Sequence, residues 1–309
     1  PDTLLDWLLV GKRAEGNIQV SGYVAPSGSG GTQSPCYAAG SSGYYVYRSS
    51  RLFLMVDAGD ACPDFLPAHA HADFGSYELS VNGHRWITDS GVYQYQGEHR
   101  NQFRGTAAHN CLIVNRTNQS DVWGNFRLAQ RAKPIDVSFQ CNPLWCLRAS
   151  HDGYRKFGVM PTRIVTVIDD RNVLVMDVIH ASRETLAESL VHLHPEVKAL
   201  KSGSGINTER GADQLNIFPF GSVSLDFRLD SGWFSPEFGL KLDRQVVHIS
   251  ASIPKGQHAI GYLLTLDGQP LSVQFNRDGS RLENCIVASA KWKMTVNIQD
   301  QGIRLDRLE

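Results

Sequence analysis

The stretch HAHADFGSYELSVNGHRWITDSG, running from His69 to Gly91, decides how the chain is read. Two runs, YELSV (77–81) and RWITD (85–89), flank Asn82-Gly83-His84. Asn and Gly both tolerate positive φ, so Asn-Gly between such runs is a strong hairpin signal. A two-residue loop pairs Val81 with His84 and Leu79 with Trp86, and sets Asp89 opposite Ser76 on the Glu78 face. A three-residue loop with a bulge after Asn82 pairs Val81 with Arg85 and Tyr77 with Asp89. Extended further, that register brings His71 and Asp73 onto the face of Asp89, near Tyr93 and Tyr95. A strand break at Gly75 changes the parity again. In each register the hairpin returns Asp89 to the neighbourhood of His71.

Outward from this hairpin the chain continues as strands. YYVYRSSRLFLMVD (44–57) is two apolar runs around Arg48–Arg51, and RIVTVIDDRNVLVMDVI (163–179) is a hairpin turning on DDRN. HNCLIVN, QVVHISASI, IGYLLTL and CIVASAKWKMTVNI are further strands by their β-branched and apolar content. Thr3–Lys12 carries apolar residues at helical spacing, with Gly11 as a stop, and is the convincing helix of the chain. Residues 25–43, rich in Gly, Ser and Pro, read as a linker or long loop. Many short strands, Gly/Asn/Asp turns and no crossover helices predict an all-β, antiparallel multi-stranded sandwich. The predicted organisation is a helical connector over 1–20 and a β-sandwich over 21–309, taken whole or with a smaller C-terminal sheet from about residue 220.

The bulk numbers bound the function. At 309 residues, 42% hydrophobic and 20% charged, the chain is long enough for one large or two smaller β domains. A net charge of −1 supplies no global field for nucleic acid or anionic lipid. No apolar run approaches the ~20 residues of a membrane span. The six cysteines match no C-x-x-C metal or redox pattern and read mostly as small buried hydrophobes. Starting at Pro1 without a leader, the chain reads as a processed product or a piece of something longer. SGSGG (27–31) lacks the Lys-Ser/Thr of a phosphate loop, and there is no G-x-S-x-G nucleophile elbow. NRT and NQS (115–117 and 118–120) fit the glycosylation acceptor pattern, a short pattern common by chance.

After the hairpin, GVYQYQGEHRNQFRGTAAHNCLIVN reads as a loop rich in Tyr, Arg and His that leads to His109 at the start of a strand. His71, Asp89 and His109 are thereby brought toward one end of the sheet. Two imidazoles and a carboxylate are a familiar zinc set, completed by water or a carbonyl. Asp73, Glu78 and Asn110 are near enough in sequence to supply outer hydrogen bonds. From His84 to Lys133 there are seven Lys/Arg against three Asp/Glu, a local excess suited to an anionic partner or simply to a solvated loop. Trp86 and Trp123 are candidates for stacking on sugar rings or for the core.

HAHADFGSYELSVNGHRWITDSGVYQY, followed by R…FR…AHN and a valine-rich strand, resembles the heparinase II/III-like family of polysaccharide lyases, which includes heparin/heparan sulfate and oligoalginate lyases. The motif-bearing likeness covers roughly residues 44–120. The resemblance implies an N-terminal α/α toroid followed by antiparallel β-sandwich sheets, with the substrate cleft between them. This chain looks like the β part, and the Asn and Tyr (or His) that the resemblance places on the toroid, where they neutralise the uronate and move protons, have no match here. By the same resemblance His71, Asp89 and His109 match ligands of a structural zinc, and His69 matches the histidine that faces substrate. Tyr95 and Arg104 fall in the loop bordering the cleft, with Tyr93, His99 and Arg100 as nearby alternatives. The implied reaction is β-elimination of a uronate-containing acidic polysaccharide by a periplasmic or secreted enzyme. Such a reaction needs the carboxylate neutralised, a Tyr or His to take the α proton and a Tyr to protonate the leaving oxygen. Arg100 and Arg104 suit carboxylate or sulfate.

Two other readings remain open at this point. A cupin-like metal enzyme also carries His-x-His on a strand, but its carboxylate follows the second His by a shorter gap than Glu78 follows His71, and its second motif is missing. A non-catalytic glycan-binding or scaffolding β module is the other. Elimination on uronates by the full-length chain separates it from a lyase.

Overall fold

The computed structural model describes residues 35–268, 272–289, 292–299 and 302–307. The expected helix Thr3–Lys12, the 1–20 connector and the first part of the Gly/Ser-rich stretch lie outside the described residues. The second part of that stretch is not all loop: Cys36–Ala39 forms a strand, because its backbone pairs with Tyr44–Tyr47.

A five-stranded antiparallel sheet follows chain order: β1 (Cys36–Ala39), β2 (Tyr44–Arg48), β3 (Leu52–Asp57), β4 (Tyr77–Val81) and β5 (His84–Ile87). The Tyr/Arg/His-rich segment expected to be loop contains a short helix, α1 (His99–Arg104). Next come β6 (Leu112–Val114) and a small hairpin of β7 (Asp121–Trp123) and β8 (Arg127–Ala129). The strands β9 (Pro134–Gln140), β10 (Trp145–His151), β11 (Val159–Asp169) and β12 (Asn172–Ala181) form one half of an eight-stranded sheet. After β13 (Thr185–His192), the other half is β14 (Lys198–Ser202), β15 (Gly205–Arg210), β16 (Asp213–Gly221) and β19 (Gly256–Thr265), with β19 beside β12. A four-stranded sheet has the order β17 (Asp226–Phe234), β18 (Leu242–Ile253), β13, β6. A last antiparallel sheet holds β20 (Ser272–Asp278), β21 (Arg281–Ala288), β22 (Trp292–Asn297) and β23 (Ile303–Arg307). The sequence boundary near residue 220 falls at the end of β16, and the separate C-terminal sheet starts at Ser272.

The eight-stranded sheet is covered on both faces, which is why β12 reads as a nearly unbroken apolar run. Val173 and Val175 point into a core shared with Leu54, Leu79, Trp86 and Ile87 of the five-stranded sheet and Val191, Val247 and Ile249 of the four-stranded one. Leu174, Met176 and Val178 point the other way, onto Leu282, Cys285, Val287 and Met294 of the C-terminal sheet. Alternation along one strand thus builds two cores in a layered sandwich. Trp86, at 0% exposure, is core and not a sugar platform.

The Asn82-Gly83 hairpin combines both expected registers. Its turn has two residues, Asn82 at φ 50° and Gly83 at φ 79°, the paired positive angles such a turn demands. Val81 therefore faces His84 and Ser80 faces Arg85, but Leu79 faces Ile87 and not Trp86. A one-residue bulge at Trp86 shifts the parity and lets Trp86 and Ile87 both reach the core. The strand then leaves toward Asp89 in the register a longer turn would have given.

Candidate functional site

The His-x-His segment is held by its main chain. His69 ends a single 3₁₀ turn, Pro67–His69, with proline at its start. Arg100 and Arg104 lie four apart on one face of α1, and both are buried, at 1% and 0% exposure. The Arg100 guanidinium donates to the carbonyls of Ala68 (2.8 Å) and Asn125 (3.1 Å). The Arg104 guanidinium donates to the carbonyls of Ala70 (2.8 Å), Asn125 (3.0 Å) and Arg127 (3.3 Å). Arg104 was expected to border the cleft. The structure buries it, with donors on three main-chain carbonyls, so it positions the segment that carries His69 and His71. Arg100 is buried in the same way, with one terminal nitrogen lacking a hydrogen bond among the described residues and its charge 5.3 Å from the Tyr95 ring centre. Burial, then Arg104, pulls the Arg100 guanidinium down to about 10.

On the exposed side, the imidazole of His69 meets the edge of Tyr95, ring centres 5.0 Å apart. Tyr95 is 41% exposed and touches Phe238 at 5.1 Å. Tyr93 turns inward, stacked on Phe103 at 5.9 Å and edge-on to His99 at 5.6 Å.

Behind His69, His71, Asp89 and His109 converge, with one ligand-type atom of each within 4.8 Å of the others. Asp89 Oδ2 lies 2.5 Å from His109 Nδ1, and Asp89 Oδ1 accepts the Gly91 N–H at 2.8 Å. The second ring nitrogen of His109, Nε2, is buried without a hydrogen-bond partner among the described residues. Burial pushes His71 down to about 3, assisted by His109, so its imidazole is neutral with a lone pair to give. Burial also works against a charged His109, but Asp89 and then Asp73 more than offset it and raise the group. Asp89 is held below the usual carboxylate range: burial opposes this, and the charge and hydrogen bond of His109 outweigh it. A neutral imidazole, an orphaned ring nitrogen and an ionised carboxylate are a donor set that fits zinc.

Residues 32–282 match the family described as Heparinase II/III-like, C-terminal. The chain belongs to this family. It is 24% identical over 292 residues to a heparin-sulfate lyase of Bacteroides stercoris, covering 84% of this chain and 40% of that protein. A heparin-sulfate lyase of Pedobacter heparinus aligns at 27% identity over 114 residues, 34% of this chain and 17% of that one. The crystal structure of a mutant heparan sulfate lyase HepC from Pedobacter heparinus superposes with a TM-score of 0.68 at 17% identity, covering 88% of this chain and 42% of that chain. That likeness shows the fold. The chain spans about two fifths of the length of the first relatives it matches.

In this heparinase II/III-like domain the suggested outer partners divide. The Asn110 side chain directs its hydrogen bonds away from the three converging groups. Its amide donates to Tyr77 O (2.8 Å) and its Oδ1 accepts the His192 N–H (2.7 Å), stitching β4 to β13. Glu78 pairs with Arg85 at 2.8 Å and its carboxylate also accepts from the Asp89 main chain, the outer hydrogen bond the sequence suggested. Asp73 acts through its charge, alongside Asp57, whose carboxyl is pushed up to about 7 by burial and then by Asp73.

The domain also uses residues with no signal in the local sequence. Arg244 of β18 is 4% exposed and donates to Thr88 O (3.0 Å), to Asp89 O (3.2 Å) and to Ser90 Oγ. It thereby fastens the main chain that carries Asp89. The turn from β17 to β18 clamps the same segment. Gly91 bridges to Ser235, and a Cβ on Gly91 would lie 2.2 Å from the Ser235 carbonyl oxygen, so only glycine permits the approach. Finally Arg163 and Asp177 form a buried two-pronged ion pair at 2.8 Å, and Arg163 also donates to the carbonyls of Gly75 (2.8 Å) and Asn110.

Proposed function

We propose that this domain is one wall of a polysaccharide lyase cleft and takes part in β-elimination of a uronate-containing acidic polysaccharide. The observation that carries the reading is the edge contact of the exposed Tyr95 with His69, two residues along the chain from His71 of the His71–Asp89–His109 cluster. Kinship with heparin-sulfate lyases supports the substrate class. The relatives' greater length supports a second part to the protein, an α/α toroid joined through a connector over residues 1–20. A polymeric substrate of this kind favours a periplasmic or secreted enzyme. Among the described residues no helix is long and apolar enough to cross a membrane.

In this reading His71, Asp89 and His109 hold a zinc ion. When bound, the ion supplies a fixed positive charge that neutralises Asp89 and orders the wall. His69 and Tyr95 do the proton work at the face. The His69 imidazole takes the proton α to the uronate carboxylate, and Tyr95 Oη gives one to the oxygen of the departing sugar. Arg100 and Arg104 keep His69 in place from below. Tyr93 and His99 shape the neighbouring rim.

The test is an activity screen of the full-length protein on heparan sulfate, alginate and other polyuronates, read by ultraviolet absorbance of the unsaturated uronate. Absorbance growing with time on at least one polymer is the expected result. Glycan binding with no product on any of them would make the domain a binding module instead.

A further inference from the structure

The turn between β17 and β18, Ser235–Lys241, comes from more than a hundred residues beyond the motif region and lies along the outgoing chain after Asp89. The Ser235 N–H donates to Ser90 O, and the Gly239 N–H donates to Tyr93 O, each at 2.8 Å. Two side chains of this turn stand at the rim. Phe238, 62% exposed, packs against Tyr95. Lys241 lies with its ammonium 3.9 Å from the centre of the Trp233 ring and 5.4 Å from that of Tyr93.

The hydrogen bonding of Lys241 is unusual for a surface lysine. Its Nζ lies 3.1 Å from His99 Nε2, and His99 Nδ1 lies 3.0 Å from Gln102 Oε1. An ammonium only donates, so Nε2 accepts, and the ring proton sits on Nδ1 facing the amide oxygen. Glu98, 87% exposed, approaches His99 Nε2 at 3.5 Å but makes no ion pair with Lys241. No carboxylate among the described residues pairs with Lys241, whereas Lys156 takes Asp121 at 2.8 Å. Two aromatic faces and one imidazole nitrogen therefore hold a full positive charge, with His99 Nε2 the one hydrogen-bond acceptor of its ammonium among the described residues. Such a group, held against the half-buried rings of Trp233 and Tyr93 in the same turn region as the exposed rings of Phe238 and Tyr95, is arranged for an anion carried by a ring-shaped ligand.

We propose that Lys241 anchors an anionic oxygen group, carboxylate or sulfate ester, of the glycan whose reacting unit lies at His69 and Tyr95. Phe238 and Tyr95 offer the adjoining apolar surface to a sugar ring. This rests on the lyase reading above and adds a specificity-determining residue to it. Lys241 is a substrate anchor with no part in proton transfer.

The test uses the full-length protein and its Lys241→Gln and Lys241→Arg variants, with heparan sulfate and chemically desulfated heparan sulfate as probes. Elimination kinetics and equilibrium binding are both measured, across a range of NaCl. Lys241→Gln is expected to raise KM and Kd about tenfold, the scale of one ionic contact, with kcat within about twofold. Its binding should also depend less steeply on salt. Lys241→Arg should restore most of the loss. A penalty on both polymers identifies the carboxylate as the bound group, and a penalty on the sulfated polymer alone identifies the sulfate. Unchanged KM and Kd on both overturn the proposal, as does a loss confined to kcat. If the parent protein eliminates neither polymer, the lyase reading fails and binding alone decides: a tenfold weaker Kd in Lys241→Gln keeps the anchor, and an unchanged Kd removes it.

Discussion

His109 Nδ1 lies 2.5 Å from Asp89 Oδ2, while Nε2 of the same buried ring has no hydrogen-bond partner among the described residues. An orphaned buried nitrogen of this kind costs about 1–3 kcal/mol. The cost is removed if the nitrogen, or the Nδ1 now engaged by Asp89, binds a metal ion together with neutral His71. The expected outcome is about one zinc per chain by elemental analysis, falling well below that in His71→Ala, Asp89→Ala and His109→Ala. Chelation should lower the melting temperature of the parent protein and leave that of the three variants nearly unchanged. Full metal content in all three variants would remove the assignment.

His69 differs from His71 by two positions and by its role. It is exposed, faces Tyr95 and lies outside the converging cluster. His69→Ala should lower turnover about 10²–10⁴-fold, the usual worth of a positioned acid or base, while the zinc content stays at the parental level. Near-parental turnover would take His69 out of the proton transfer.

The parts legible in the sequence are those with a local signature. The Asn82-Gly83 turn, the hairpin at Asp170–Arg171 and the convergence of His71, Asp89 and His109 all follow from spacing within a few strands. The bulge at Trp86 does not, because it is set by how two apolar side chains divide one core. The family resemblance and the guanidinium's fit to carboxylate or sulfate point to Arg104, with Arg100 as an alternative, as cleft residues. Their burial is decided by carbonyls 21 to 34 positions away. Arg244 and Lys241 enter from the other end of the chain, and nothing in LKLDRQVVHIS distinguishes them from strand polar residues.

Arg163 and Asp177 support the site from below. Their ion pair is sealed, with side chains 6% and 1% exposed, and Ser189 Oγ adds a bond to Asp177 at 2.9 Å. Removing one member leaves a buried charge uncompensated, so Arg163→Met or Asp177→Asn should each cost about 3–5 kcal/mol. Arg163→Met also frees the carbonyls of Gly75 and Asn110, so its zinc affinity should fall with its stability. Denaturant unfolding of each single variant and of the double variant measures the coupling. A double variant no worse than the singles is expected, since the second substitution removes the stranded charge.

His151 tests the pH dependence away from the metal cluster. Its ring packs on Phe74 at 5.0 Å and on Tyr154 at 5.5 Å, and Nδ1 accepts the Gly153 N–H at 3.2 Å. Burial pushes the group down to about 4, whereas an unfolded histidine titrates near about 6.5. Between these values the unfolded chain binds a proton that the folded chain refuses, so stability falls as pH drops from about 6.5 to about 4. The contribution of this one residue reaches about 3 kcal/mol and levels off below the folded value. His151→Gln cannot titrate. In metal-free protein its unfolding free energy should start about 1 kcal/mol below the parent at pH 7, because Gly153 loses a well-placed acceptor. The parent's advantage should then shrink, and reverse, as the pH is lowered through this window. A parent-minus-variant difference that stays constant from about pH 7 to about pH 4 would show that His151 takes up its proton as readily in the fold as outside it.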